Sequence, residues 1–138
     1  TKSDKYITFF VAEIDLKSKT LKYVNAGHFP PILKMNDSLT RLDKGCSFIG
    51  AFEKLDDITE EKITLHPDAM IVSFTDGLPD LRNKKNEYFG DTYLELFVEK
   101  NCALTPEAFN QKLLQEIDAF RCDNEIADDI AVLTCKIN

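Results

Sequence analysis

Two aspartates stand at the ends of apolar runs: Asp76 follows Met70–Phe74 and Thr75, and Asp128 comes just before the run 130–133. If these runs are neighbouring antiparallel strands, the C-terminal end of one lies beside the N-terminal end of the other. Both carboxylates then meet at one edge of the sheet. Such an edge attracts a hard cation, because Mg²⁺ or Mn²⁺ prefers carboxylate and water oxygens, keeps several waters and can activate one of them against phosphorus. Asp129 is the less suited member of its pair, since adjacent strand residues point to opposite faces. Two alternatives stay open on spacing alone. Asp76-Gly77 is also a frequent turn dipeptide, and Asp128-Asp129 also reads as a solvated strand start. Two histidines and four scattered cysteines, with no C-x-x-C pair, offer neither a zinc site nor a redox motif.

The elements that must position these aspartates are legible as strands first and helices later. Residues 6–15, rich in aromatic and β-branched types, and 21–25 read as a hairpin around a polar turn at 17–20. Ala26-Gly27-His28 and Pro30-Pro31 break the pattern before strand 32–35, and Asn36-Asp37-Ser38 marks a turn into 39–42. Residues 45–52 read as a partly buried loop. The alternation in 62–65 predicts an outer strand, and the almost wholly apolar 70–74 a central one. Two amphipathic helices follow, the first capped by Asp91 with Leu94, Phe97 and Val98 inward. The second is opened by Thr105 with Pro106 at its first position, and Phe109, Leu113, Leu114, Ile117 and Phe120 recur at helical spacing. A closing strand is expected over 130–137.

Length and composition bound the function. With 138 residues, 43% hydrophobic, one core and a single domain over 1–138 are expected. A formal charge of −7 and the lack of a basic stripe exclude nucleic acid as a natural partner. No apolar run approaches the roughly 20 residues that span a bilayer, and no secretory leader opens the sequence, so no membrane contact is expected. Reduced thiols and a cytoplasmic location are the simpler expectation for Cys46, Cys102, Cys122 and Cys135.

Four segments in order carry a resemblance to a known family. Residues 23–33, YVNAGHFPPIL, resemble A-N-A-G-H-x-P-P-L-L; residues 47–52, SFIGAF, resemble a P-L-G loop. Residues 71–83, IVSFTDGLPDLRN, are similar to a strand ending in T-D-G-[VIL]-x-E-A-x-N, and 127–133, ADDIAVL, to a closing D-D-[IM]-T-[LV] strand. The sequence thereby resembles the sporulation-E and sigma-factor-regulator phosphatases of the metal-dependent PPM/PP2C superfamily. Departures are Ala131 for Thr, Asp80 for Glu and Ser47-Phe48 for Pro-Leu; none removes a ligand.

The resemblance implies an α+β fold, a PP2C-like α-β-β-α sandwich of antiparallel sheets with flanking helices. It implies hydrolysis of phosphoserine or phosphothreonine at a centre of two Mn²⁺ or Mg²⁺ ions, with no catalytic residue beyond the metal ligands. Carried over by motif, Asp76 and Asp128 are metal ligands, Gly77 and Asp129 lie near the site, and His28 lies in a segment approaching it. His28 equally reads as a hydrogen-bonded loop histidine, and Gly27 and Gly77 as residues placed for backbone geometry. The implied partners are a phosphorylated anti-anti-sigma protein of the STAS type and an upstream sensor or receiver domain. The family's D-x-x-G-H-G-like first metal segment has no counterpart in this sequence, which is therefore expected to be incomplete at the N-terminus. Two further readings follow: a catalytically incomplete, partner-binding signalling module, and a homodimer formed through an open sheet edge.

Overall fold

The hairpin expected near the N-terminus forms from β1 (Phe9–Asp15) and β2 (Thr20–Ala26), paired from Phe9↔Ala26 to Asp15↔Thr20. Its turn is closed by the Asp15 carboxylate, which accepts from the N–H groups of Lys17 and Ser18. These backbone hydrogen bonds, first that of Ser18, favour the ionised form and hold the Asp15 carboxyl below the usual carboxylate range. In this computed structural model, residues 5–50, 53–54 and 57–138 are described. They fall into two compact units, one within Thr1–Pro30 and Arg41–His66, the other comprising Pro31–Thr40 and Pro67–Asn138.

In the first unit β2 is the central strand. Along its other edge run β5 (Gly45–Cys46), parallel to Asn25 and Ala26, and β6 (Glu61–Thr64), antiparallel to Thr20 through Tyr23. The outer strand expected near 62–65 is therefore β6. The sheet departs from the expected all-antiparallel pattern at β5, and buried Asn25 is the reason. Its side-chain amide donates to Leu42 O at 3.0 Å and its backbone N–H to Lys44 O at 2.8 Å, which draws residues 42–46 alongside β2. The loop expected over 45–52 contributes this short strand; Ala51 and Phe52 lie outside the described residues.

The second unit holds a four-stranded sheet in the order β4 (Ser38–Arg41), β3 (Ile32–Met35), β7 (Met70–Phe74), β8 (Val132–Lys136). β7 pairs antiparallel with β3 and with β8, so it is the central strand its apolar run foretells; Met70, Ile71, Val72 and Phe74 are all buried. Burying each such side chain is worth about 1.5–3 kcal/mol. The closing strand begins two residues later than expected, at Val132. Helices α1 (Gly90–Asn101) and α2 (Pro106–Arg121) bury Leu94, Phe97 and Val98, and Phe109, Leu113 and Ile117. Thr105 caps α2 as expected, its hydroxyl accepting from Ala108 N. Asp91 does not cap α1: the N-cap position is Phe89, and Asp91 lies in the first turn, where its charge suits the helix dipole. Leu114 is exposed rather than inward, whereas Phe120 stacks edge-on with buried Phe89 at 5.2 Å.

Candidate metal-binding edge

The edge expected from the two aspartates forms where β7 ends and β8 begins. Beyond the last ladder pair, Phe74↔Val132, the pairing continues through Thr75, whose N–H donates to Ala131 O at 3.1 Å. The Thr75 hydroxyl donates to Asp129 O at 2.8 Å and accepts from Ala131 N at 3.0 Å. One side chain thus fastens the residue before Asp76 to the residues after Asp128. Asp76 opens a series of tight turns, with Leu78 N bonded to Thr75 O and Asp80 N to Asp76 O.

Gly77 makes this proximity possible. A β-carbon there would stand 2.6 Å from Asp129 O and 3.0 Å from Asp128 O, too close for any other residue without backbone movement. Its role is close approach. Gly27, by contrast, needs both its positive φ of 69° and its missing side chain, since a β-carbon there would come within 2.9 Å of Phe48 Cβ.

Asp76, Gly77, Asp128 and Asp129 are therefore gathered at one end of the second unit's sheet, with both candidate ligands exposed to water. One Asp128 carboxylate oxygen accepts the Asp129 N–H at 2.8 Å. Asp129 meets Thr75 with its backbone carbonyl. His28 lies in the other unit, in the turn after β2, where its backbone N–H donates to Asn25 Oδ1 at 2.8 Å. Alongside Gly77 and Asp128 lies a cavity of about 270 Å³, also lined by Asp80, Arg82, Asn86 and Glu125.

The donor chemistry fits an oxygen-preferring divalent cation. Two water-facing carboxylates leave most coordination positions to water, the habit of Mg²⁺ and Mn²⁺. Among the described residues, no group of three or more His, Cys, Asp or Glu side chains converges as a metal cage.

The family model for stage II sporulation protein E (SpoIIE) matches residues 1–138. The chain belongs to the SpoIIE family. This SpoIIE-family chain is 26% identical over 116 residues to Protein IcfG of Synechocystis sp. (strain ATCC 27184 / PCC 6803 / Kazusa), a match spanning 82% of the chain and 18% of IcfG. Its fold matches the SiaA-PP2C domain of Pseudomonas aeruginosa with a TM-score of 0.86 at 14% identity, over 97% of this chain and 53% of that one. It also matches the Mn-presoaked phosphatase domain of the cell fate determinant SpoIIE from Bacillus subtilis, with TM-score 0.66 and 20% identity over 95% and 56% of the two chains. A third match is to the RsbU and RsbW domains of Rv1364c from Mycobacterium tuberculosis, with TM-score 0.66 and 20% identity over 96% and 36%. The SpoIIE-family chain thus has the α+β fold of PP2C phosphatase domains, and spans about half the length of the first two matched structures.

Sequence reasoning passed over two members of this SpoIIE-family edge. Thr75 was only part of a T-D-G motif, although a hydroxyl at a strand end is a ready bridge to the next strand. Arg82 occupies a position the motif leaves open, and nothing in its immediate neighbours marks it out.

Proposed function

We propose that this chain is the C-terminal part of a single metal-dependent phosphoserine/phosphothreonine phosphatase domain, with Asp76 and Asp128 as ligands to Mn²⁺ or Mg²⁺. The observation that carries this reading is the Thr75 bridge, which brings both aspartates to one sheet edge, with Asp128 lining an open cavity. Family membership and the PP2C fold support it. Divalent cations, when bound, supply Lewis-acid stabilisation of phosphoryl oxygens and a water of lowered pKa. The chain's own part is to fix the ligands. Thr75 locks the register, Gly77 admits the close approach of the 128–129 backbone, and the Asp129 N–H holds one Asp128 oxygen.

The substrate proposed is a phosphorylated anti-anti-sigma protein of the STAS type, in a cytoplasmic signalling pathway under an upstream sensor or receiver domain. The matched RsbU and RsbW domains favour such partner switching. A chain of charge −7 does not attract a phosphoprotein by its own field, so bound cations must supply the attraction. Among the described residues no helix is long and apolar enough to cross a membrane.

One observation favours a second reading, a partner-binding module without catalysis: two carboxylates are a sparse ligand set for two ions, and no third donor joins them among the described residues. Manganese calorimetry separates the readings when run on this chain, on a version extended upstream, and on Asp76→Asn in each. Micromolar binding confined to the extended wild type, with Mn²⁺-dependent phosphate release from a phosphopeptide, is the expected result. No binding in any version would replace the phosphatase with the module.

A further inference from the structure

Among the described residues, Arg82 is the one cation whose side chain lines the cavity next to Asp128. The loop that carries it is built to hold it. Arg82 and Tyr88 form an antiparallel bridge, and Asn83 closes the turn between them with its side-chain Oδ1 accepting from Lys85 N and Glu87 N. The loop is tied outward twice: Asn124 Nδ2 donates to Arg82 O at 3.3 Å, and Lys84 pairs with Asp123 at 3.1 Å.

Within this frame, and among the described residues, the guanidinium is positioned by neutral groups. Nη1 donates to Asn86 Oδ1 at 2.6 Å, Nη2 donates to the Tyr88 hydroxyl, and the guanidinium carbon stands 4.2 Å from the Tyr88 ring centroid. A structural arginine on an acidic protein is ordinarily matched to a carboxylate. Here the hydrogen bonds occupy two of the five N–H donors, fix the orientation and leave the full charge for something else. A planar fork of N–H donors with an unneutralised charge suits the paired oxygens of a phosphoryl group.

We propose that Arg82 binds and orients the phosphoryl group of the phosphoserine or phosphothreonine substrate at this cavity. The identity of that substrate rests on the phosphatase reading; the capacity of Arg82 to bind phosphate does not. Asp80, Glu125 and Asp128 line the same cavity, so the anion enters with cations present, and Arg82 is the permanent counter-charge that the lining itself supplies.

The test is calorimetric titration of inorganic phosphate into the full-length protein carrying this chain, with and without Mg²⁺, for wild type, Arg82→Ala and Arg82→Lys. Phosphopeptide kinetics and thermal midpoints are recorded alongside. Loss of the fork should weaken phosphate binding about tenfold or more in both variants. KM for the phosphopeptide should rise more than kcat falls, with a near-native thermal midpoint for Arg82→Lys. A role confined to holding the loop would lower the midpoint and leave phosphate affinity unmoved. Phosphate affinity equal to wild type in both variants overturns the proposal, as does a wild type that binds no phosphate in either condition. If the wild type binds phosphate through Arg82 yet releases none from a phosphopeptide, the phosphatase reading fails and the anion site stands.

Discussion

Thr75 concentrates a strand joint in one hydroxyl, which is both donor and acceptor between the ends of β7 and β8. Replacing it with Val keeps the β-branched shape and removes both bonds. Thr75→Val should cost about 1–2 kcal/mol in urea unfolding and weaken metal binding more than a remote substitution of equal cost, whereas Thr75→Ser should stay near wild type. Gly77→Ala attacks the same joint by crowding: the added methyl meets two backbone carbonyls that cannot swing aside as a side-chain tip could. It should lower both the thermal midpoint and manganese affinity, and a native midpoint with native affinity would refute the close-approach account. The position of Asp76 and Asp128 at neighbouring strand ends could be read because each borders an apolar run. Arg82 was not, because its surroundings come from Asn86 and Tyr88 across a loop, a pairing that no local periodicity encodes.

At the scale of elements, the legible parts were those whose own periodicity decides their state, and the illegible ones depend on a neighbour. β7 could be read from a run buried on both faces, and α2 from its Thr105-Pro106 opening. Thr105→Ala should accordingly cost about 1 kcal/mol, measured by chemical denaturation. β5 could not be read, because two residues become a strand only through Asn25. The start of α1 was misread because Phe89 is held by the packing of its ring against Tyr93 and Phe120, which overrides the capping preference of Asp91. Tyr23, on β2, gives the first unit a pH signature. Burial is the main force raising its phenol above the ordinary 10.0, with Glu61 and Asp43 adding to it and the Lys44 N–H opposing. A raised acid pKa means that the folded state holds the proton longer. The contribution is complete below about 10 and is lost as pH rises through the folded value. The thermal midpoint of wild type relative to Tyr23→Phe should therefore fall as pH climbs past 10, and parallel curves would show the phenol to be irrelevant.

For the whole molecule the open question is what meets its sheet edges, and the edges differ in protection. β4 is four residues long and carries Arg41, and β8 carries Lys136, whose ammonium is drawn back onto the carbonyls of Cys102, Ala103 and Leu104. β1 is longer, seven residues paired among the described residues on one side only, with β2, and exposes Phe9 and Val11 with no lysine, arginine or proline within the strand. Unpaired backbone flanked by apolar side chains is a template for another strand. Opposing this is the charge of −7, which keeps copies apart at low ionic strength and is screened in salt. Self-association of the isolated chain should therefore strengthen from low to moderate salt in multi-angle light scattering, and Val11→Lys should suppress it more than Leu133→Lys. A monodisperse monomer at high concentration in moderate salt would refute strand addition at β1. In a longer protein the same test reads differently: if upstream residues supply a strand to this edge, the extended chain stays monomeric and gains manganese binding in the same step. Edge closure and completion of the ligand set would then be two consequences of one segment.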